Sequence, residues 1–359
     1  MTQPLDAPYA HDPKGMGALI EKIPDHIETA LERMAAAPWK LNHARSPSTL
    51  AVGAMGGSAI AADLTAALYA DRIMRPMVTV RDYQWPAFVT REAFALHCSY
   101  SGATEEVLAL YKQASHRSVP RAAITTGGAL ASGCDRDGAP WHRLPSGIPP
   151  RAALFTLWVP MTYLIAALDW CDDPTKDWRY TAERLADLKE DIGLHVPESK
   201  NAAKQLARAI SERPVAVYTS AGLAAPAGTR LRQQLNENAK MLGRSAQVPE
   251  LNHNEIVGWE RPSTTHPSPV VLMLQDSDDR EEIRRRLTLT AEYVKEQGAE
   301  VHALPVGGGS RLSRQAHLVM WGDYLSFYLA QLRGVDPTPV ASIDEFKRRM
   351  AAAATTKEN

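Results

Sequence analysis

The sequence has little that would suit a secreted, membrane-bound or nucleic-acid-binding protein. It holds three cysteines in 359 residues, and they form neither a CxxC pair nor an even disulfide framework. Its 40 basic and 41 acidic residues nearly cancel, so no excess of charge attracts nucleic acid or a membrane surface. Residues 1–16 are polar, without the apolar stretch of a secretory signal. We therefore expect a cytoplasmic protein without nucleic-acid or membrane partners.

Long apolar runs are also missing. The most apolar stretch, residues 152–168, contains Pro160 and is shorter than the roughly 20 residues that a membrane span needs. A buried helix is the better interpretation of this stretch. Apolar residues make up 45% of the chain, which supplies ample core material for about two domains.

Motifs for a bound metal or cofactor are absent as well. The histidines are scattered, with neither an HExxH sequence nor a cysteine–histidine cluster, so we expect no metal and no zinc-dependent chemistry. No Walker A sequence occurs. The glycine turn at residues 53–58 does not match GxGxxG, although Asp82 lies about where a ribose-binding acid would lie. Dinucleotide binding is therefore the weakest interpretation, and we expect no cofactor.

The sequence does contain a repeated pattern of short strand, small-residue turn and helix. Strands are predicted at residues 49–52, 77–80, 94–98, 122–126, 215–220, 270–274 and 300–305. Helices are predicted at residues 16–36, 59–69, 105–114, 226–242, 281–297 and 313–332. This alternation predicts an α/β fold of two doubly wound, parallel-sheet, flavodoxin-like subdomains in tandem.

The pattern divides the chain into four parts. An N-terminal helical segment is expected at residues 1–44, followed by a phosphate-binding domain at residues 45–190. A second domain, carrying catalytic groups, is expected at residues 191–334. A C-terminal helix and tail would occupy residues 335–359.

The turn after the strand at residues 94–98 carries the strongest functional signal. Ser99, Ser101, Gly102 and Thr104 lie where a new helix exposes its first unpaired N–H groups. Such a corner attracts anions, because several donors converge there and the helix dipole adds to them. Any one hydroxyl could merely cap the helix. Together they predict a bound phosphate, and because the second half lacks such a set we expect one phosphate pocket per chain.

Several motifs follow one another along the chain in a characteristic order. They are Gly56-Gly57-Ser58, Ser99-Tyr100-Ser101-Gly102-x-Thr104-Glu105-Glu106, Pro145-x-Gly147-x-x-Pro150-Arg151, Asn236-Glu237-Asn238-Ala239-Lys240, Asn252-His253-Asn254-Glu255 and Gly322-Asp323-Tyr324-x-Ser326. The set resembles the sugar isomerase (SIS) domain and, more narrowly, the bifunctional phosphoglucose/phosphomannose isomerases. Four features depart from the usual pattern: Ala54 for a glycine, Ala103 for an asparagine, Thr126 where serine is commoner, and no lysine at residues 307–311. Ala103 removes one possible donor near the phosphate.

The resemblance implies an aldose–ketose isomerase. It would interconvert glucose 6-phosphate with fructose 6-phosphate and accept mannose 6-phosphate as a second substrate. The reaction would open the sugar ring and then transfer a proton through an enediolate. The implied phosphate-binding residues are Gly57, Ser58, Ser99, Ser101 and Thr104. The implied catalytic residues are Glu237 as the base, His253 and Lys347 in ring opening, and Arg151 as the group that stabilises the enediolate. In this family the histidine comes from the neighbouring subunit, which implies a homodimer with a shared active site.

Without the family, each catalytic candidate has an ordinary alternative. Glu237 can belong to a solvated helix face, His253 to a surface loop and Lys347 to an exposed helix. Arg151 begins an apolar helix, where an unpaired guanidinium is costly, so a salt bridge to some carboxylate is its alternative. The asparagines that flank His253 are expected to hydrogen-bond its ring and fix one tautomer.

Three other functions compete with the isomerase. One is a related sugar-phosphate isomerase or lyase, such as an enzyme for amino sugars. Another is a non-catalytic phosphosugar-binding regulator, for which we expect a helix-turn-helix extension and a basic run that this sequence does not show. The third is the dinucleotide enzyme considered above.

Overall fold

Parallel strands alternate with helices throughout the residues that the computed structural model describes, 5–6, 8–41, 46–261 and 268–356. The strands are β1 (Leu50–Ala54), β2 (Met77–Val80), β3 (Phe94–Cys98), β4 (Arg121–Thr125), β5 (Trp141–Arg143), β6 (Val215–Ser220), β7 (Gly243–Val248), β8 (Val270–Leu274) and β9 (Glu300–Ala303). The helices are α1 (Met16–Glu21), α2 (Ile23–Ala36), α3 (Gly56–Tyr69), α4 (Glu105–His116), α5 (Gly128–Asp137), α6 (Leu154–Ala167), α7 (Thr175–Ile192), α8 (Ala202–Ile210), α9 (Ala224–Glu237), α10 (Glu281–Glu296), α11 (Arg311–Leu332) and α12 (Ala341–Thr356). The predicted boundary at residues 44 and 45 lies outside the described residues.

The first sheet has the flavodoxin-like strand order. Among the described residues it contains five parallel strands in the order β2-β1-β3-β4-β5. The direction of winding reverses between β1 and β3, whose register pairs Ala54 with Cys98. In open α/β sheets, ligands bind beyond the carboxyl ends of the strands at this reversal. The glycine turn after β1 and the serine corner after β3 therefore lie side by side.

The second sheet repeats this design with four parallel strands in the described part of the chain, in the order β7-β6-β8-β9. Strands β1, β3, β6 and β8 are buried along their whole length. Helices cover both faces of such a sheet, so its central strands are continuously apolar rather than alternating. The prediction of two doubly wound parallel sheets is confirmed.

The two halves share one apolar core. The largest group of contacting buried side chains includes Val52 and Leu96 from the first sheet and Val217 and Leu272 from the second. Helix α11 packs against α7, α8 and α9, and α3 packs against α9 across the two halves. The contact between α3 and α9 brings the turn after β1 next to the second half.

The most apolar stretch of the sequence is a buried helix, as predicted. A 3₁₀ turn, Pro150–Ala153, leads into α6, which packs against α2 and α3. Among the described residues, every helix is either too short or too polar to traverse a bilayer.

Two predicted helices need correction. The helix expected at residues 16–36 forms as α1 and α2, because Pro24 lies in the first turn of α2 and has no N–H for an unbroken helix. The helix expected at residues 226–242 begins two residues earlier and ends at Glu237. Lys240 then adopts a left-handed φ of 54°, so the chain turns sharply just after Glu237.

Candidate active site

The glycine turn brings the start of α3 against the start of the segment that leads into α6. Gly56 has φ 50°, a conformation that favours glycine. A Cβ atom on Gly57 would lie 3.6 Å from the Cα atom of Arg151 and 3.7 Å from the carbonyl oxygen of Pro150. Ser58 follows in the first turn of α3 and is half-buried. The turn is therefore in contact with the backbone of Arg151.

The serine corner is built from hydroxyls that bond to one another and to the local backbone. Ser99 is buried, and its Oγ lies 2.7 Å from Oγ1 of Thr104 and accepts from the N–H of Gly102 at 3.1 Å. The Oγ of the exposed Ser101 accepts from the N–H of Ala103 at 3.2 Å. Thr104 precedes α4 but its side chain makes no capping hydrogen bond to it. The ordinary alternative, a helix cap, is therefore wrong for Thr104.

Tyr100 connects the serine corner to the loop that carries Arg151. Its hydroxyl donates to the carbonyl of Pro145 at 2.9 Å and accepts from the N–H of Ile148 at 3.3 Å. Burial raises the pKa of Tyr100, so the phenol stays neutral and can donate. The glycine turn, the serine corner and Arg151 thus converge at one edge of the first sheet.

Arg151 and Glu237 face each other at this edge, and we call them the central ion pair. Nη1 of Arg151 lies 3.8 Å from Oε2 of Glu237. The Arg151 side chain is 5% exposed and that of Glu237 28% exposed. Burial lowers the pKa of Arg151, and the neighbouring carboxylate of Glu237 opposes that shift. The salt bridge expected as an alternative role for Arg151 does form, and its partner is the predicted base itself.

The equivalent edge of the second sheet holds a buried ion pair. Asp276, just beyond β8, accepts from Nε of Arg314 at 2.6 Å and from Nη2 at 3.2 Å, with both side chains nearly buried. Asp279 lies close by, and burial raises its pKa. One phosphate pocket per chain, in the first half, stays a prediction.

His253 lies on a 3₁₀ turn after β7 and forms no hydrogen bond or ion pair with Arg151 or Glu237. Its ring is exposed and forms no hydrogen bond or ion pair with any described residue. Asn252 donates to Oγ1 of Thr290 on α10 at 2.8 Å, and Asn254 donates to Oε1 of Glu250 at 2.7 Å. The expectation that these asparagines orient the ring is wrong; they hold the loop that carries it.

Lys347 is exposed on α12. No described residue forms an ion pair with its ammonium group. Three apolar side chains of α12 are exposed with it, Ile343 at 43%, Phe346 at 65% and Met350 at 45%. Their spacing places them on one face of the helix.

Comparison with known proteins identifies the family. Residues 199–350 match the family model described as the bacterial phospho-glucose isomerase C-terminal SIS domain. The chain is 36% identical over 297 residues to the bifunctional phosphoglucose/phosphomannose isomerase of Caldicellulosiruptor bescii. The aligned residues cover 83% of this chain and 88% of that protein. The chain belongs to the bifunctional phosphoglucose/phosphomannose isomerase family. The relative from Aquifex aeolicus is 30% identical over 297 residues, 82% of this chain and 88% of that protein.

Solved structures show the same fold. Tagatose-6-phosphate ketose/aldose isomerase from Escherichia coli matches with a TM-score of 0.71 at 14% identity, covering 94% of this chain and 98% of that one. Of the residues predicted for phosphate binding, Gly57 lies next to the backbone of Arg151. The corner that carries Ser99, Ser101 and Thr104 is joined through Tyr100 to the loop that precedes Arg151. Among the residues that the structure describes, no three His, Cys, Asp or Glu side chains are grouped as a metal site.

Sequence reasoning missed the groups that hold the central ion pair. The amide of Asn238 and the carbonyls of residues 337 and 338 all accept from the guanidinium of Arg151. Nζ of Lys240 donates to the carbonyl of Glu237 at 2.5 Å. Asn238 and Lys240 belong to the same motif as Glu237, which is a signal for them. The carbonyls leave no mark in the sequence, because every residue has one.

Proposed function

We propose that the protein interconverts glucose 6-phosphate and mannose 6-phosphate with fructose 6-phosphate. The observation that carries the proposal is the 3.8 Å separation of Arg151 Nη1 and Glu237 Oε2 beside a hydroxyl-lined corner. Moving a proton between two sugar carbons requires a base beside them and a donor for the oxyanion that develops. The central ion pair supplies both groups. The relatives are bifunctional phosphoglucose/phosphomannose isomerases, which supports the same substrates.

The phosphate is held in this proposal at the edge of the first sheet. Two helices, α3 and α4, begin there, and their first N–H groups and dipoles favour an anion. The proposed phosphate-binding residues are Gly57, Ser58, Ser99, Ser101 and Thr104. With the phosphate anchored there, the other end of the hexose reaches the central ion pair.

Glu237 acts as the base on the open-chain sugar. Its carboxylate takes the proton from C2 of the aldose, and the electrons of that bond form the C1–C2 double bond of an enediolate. Arg151 donates from Nη1 to the oxygen that gains negative charge. Glu237 then returns the proton to C1, while a hydroxyl proton passes from O2 to O1, which completes the ketose. Because C2 is planar in the enediolate, glucose and mannose phosphates reach the same intermediate.

Ring opening needs a proton at the ring oxygen and the loss of one from the C1 hydroxyl. We assign this exchange to His253 and Lys347, as the family resemblance implies. Both side chains are exposed in the single chain, which leaves them available to a second subunit.

We also propose that the active protein is a homodimer with a shared active site. The exposed position of His253, outside the central ion pair, supports its donation to a neighbouring subunit. The apolar face of α12, formed by Ile343, Phe346 and Met350, supports a protein partner that covers it. Lys347 lies on that helix, so one interface would bring it to a site as well.

A cytoplasmic location belongs to the same proposal. Its support is the state of the cysteines that the structure describes, which are all free thiols. Cytosolic proteins keep their cysteines reduced. Phosphorylated hexoses are intracellular metabolites, so the proposed substrates fit this compartment.

The test of function is a coupled assay of the purified protein on both aldose phosphates, with a chelator present. Wild-type protein should turn over both. Glu237→Gln keeps the shape of the side chain but cannot take a proton, so we expect kcat to fall roughly 1000-fold or more. Calorimetric binding of fructose 6-phosphate should stay within about threefold, because the phosphate corner is unchanged.

A matched control is Glu212→Gln, an exposed glutamate whose ion-pair partner is Arg333. Its turnover should equal that of the wild type. Inactive wild-type protein would reject the proposed function, and a Glu237→Gln variant with undiminished kcat would reject the proposed base.

A further inference from the structure

We propose that Asn238 and Ser326 are positioning residues that aim one nitrogen of Arg151 at the reacting carbons. The proposal rests on the proposed isomerase function, in which Arg151 stabilises the enediolate. Neither residue touches the substrate. Both side chains have no exposed surface. They act through the hydrogen bonds that hold the guanidinium.

Ser326 determines which way the amide of Asn238 faces. The Ser326 hydroxyl donates its single proton to the carbonyl of Asp323 at 2.8 Å. It can therefore only accept from Asn238, whose Nδ2 lies 2.9 Å away. With Nδ2 held there, Oδ1 faces Nε of Arg151 and accepts from it at 2.8 Å.

The other side of the guanidinium is held by backbone. Nη2 of Arg151 donates to the carbonyl of Thr338 at 2.9 Å and to that of Pro337. With Nε and Nη2 bound to the protein, Nη1 is the nitrogen left to face the carboxylate of Glu237. A planar guanidinium held at two nitrogens cannot rotate, so the direction of the third is fixed.

The backbone of Arg151 is anchored to α9, the helix that Asn238 follows. Nη2 of Arg230 donates to the Arg151 carbonyl at 3.0 Å. Arg230 in turn forms two hydrogen bonds with the buried carboxylate of Asp323, at 3.1 and 2.7 Å. Asp323 thus supports Arg151 twice, through its carboxylate to the backbone and through its carbonyl to Ser326.

This arrangement matters for catalysis because an oxyanion donor works only when it is aimed in advance. Donors that must reorient during the reaction lose most of their benefit. Side chains around a reacting centre need to hold it within about 0.5 Å. Loss of the Asn238 acceptor would free Nε and let Nη1 drift from the C1–C2 region, while the phosphate corner stays intact.

The test is a double-mutant cycle between Asn238→Ala and Arg151→Lys in the full-length protein. We expect Asn238→Ala to lower kcat roughly 30-fold and to leave KM within about threefold of the wild-type value. This fall in kcat is smaller than the ~100-fold or greater loss that follows when an oxyanion donor is removed. Lysine has no Nε–H for Asn238 to hold. In the Arg151→Lys protein, adding Asn238→Ala should therefore change kcat less than about twofold. An equal fold-change in both backgrounds would show a merely structural role and overturn the proposal.

Asn201→Ala is the control for this cycle. Asn201 is also fully buried and caps α8 by accepting from the N–H of Lys204 at 3.0 Å. Its replacement should lower the thermal midpoint but leave the kcat of the folded protein unchanged.

Ser326→Ala provides a second test that removes one atom and keeps the fold. Without that hydroxyl the Asn238 amide can turn over, and we expect kcat to fall about fivefold at unchanged KM. Ser313→Ala is the control, since Ser313 is a buried serine of the same helix that bonds to Gly308 and Ser310. Unchanged kcat in folded Ser326→Ala would overturn the proposal. Inactive wild-type protein would instead reject the proposed function, and the positioning role with it.

Discussion

His97 lies on the buried strand β3 with its ring edge-on to Trp85 and Tyr111, at centroid distances of 5.5 and 5.1 Å. Burial lowers the pKa of His97 to about 4, and it lowers that of His142 to about 4 as well. In the unfolded chain both histidines titrate near 6.5. Single buried residues can therefore make the stability of this protein depend on pH.

The free energy of unfolding should fall as the pH drops from about 6.5 toward 4. In that window the unfolded chain binds protons that the folded protein refuses, so acid favours unfolding. The shift of His97 corresponds to roughly 3 kcal/mol when the pH has passed below its folded pKa. Urea unfolding at several pH values between 4 and 7 measures this slope.

His97→Leu should reduce the slope, leaving the part due to His142 and to His26 and His317, whose pKa values burial also lowers. His116→Gln is the control, because His116 is exposed at the end of α4 and meets water in both states. The quantity compared is the slope, so a uniform loss of stability in His97→Leu does not affect the result. An unchanged slope in that variant would contradict the assignment.

At the scale of elements, two corners of the first sheet pack directly against each other. Gly102, between β3 and α4, has φ 66°, and a Cβ atom there would lie 1.8 Å from the carbonyl oxygen of Gly127, between β4 and α5. The serine corner therefore depends on a close approach of two backbones. Only glycine satisfies both the conformation and the space.

Gly102→Ala should destabilise the protein by roughly 3 kcal/mol or more and weaken substrate binding, because the serine corner must move. Gly138→Ala is the matched control: Gly138 has φ 64° at the end of α5, but its Cβ would meet open space. We expect that variant to lose only about 1 kcal/mol, from the left-handed backbone alone. Equal urea midpoints for the two variants would show that the contact between the corners is not tight.

The elements that were predicted well are those with a complete local signal. Strands β3, β6 and β8 have the predicted bounds, because buried parallel strands are continuous apolar runs between turns. The edge strand β2 also has its predicted bounds, because its β-branched residues lie between clear turns although it is only partly buried. Strands β5 and β7 were missed. Both lie at sheet edges, and β7 is half-exposed along most of its length, so it carries no apolar run. Neighbouring strands, rather than its own residues, make β7 a strand.

For the whole molecule, the homodimer proposal has a direct test by mixing inactive subunits. If each site takes Glu237 from one chain and His253 from the other, a mixed dimer of Glu237→Gln and His253→Ala has one intact site. Random exchange gives half mixed dimers, so about a quarter of wild-type activity should return for a two-fold symmetric dimer. Activity is measured after the subunits are unfolded and refolded together.

The control mixture combines Glu237→Gln with Arg151→Ala subunits. The structure places both residues in one chain, 3.8 Å apart, so every site of that mixed dimer carries a defect. This mixture should stay inactive. Absence of recovery in the first mixture would exclude donation of His253 in trans, and equal recovery in both would exclude the pairing within one chain.

The sequence by itself determined the α/β fold, the two parallel sheets and the position of the serine corner, since these follow from apolar periodicity and from turns read within a few residues. Tertiary structure alone decided that Arg151 meets Glu237 and that Asn238, Ser326 and Asp323 hold it in place. The side chains that meet are 86 to 88 residues apart in the sequence, and no local pattern encodes a contact over that separation. Asp323 acts on Ser326 through its backbone carbonyl, which every residue has. The packing of α9 against α11 and of α3 against α9 brings them together.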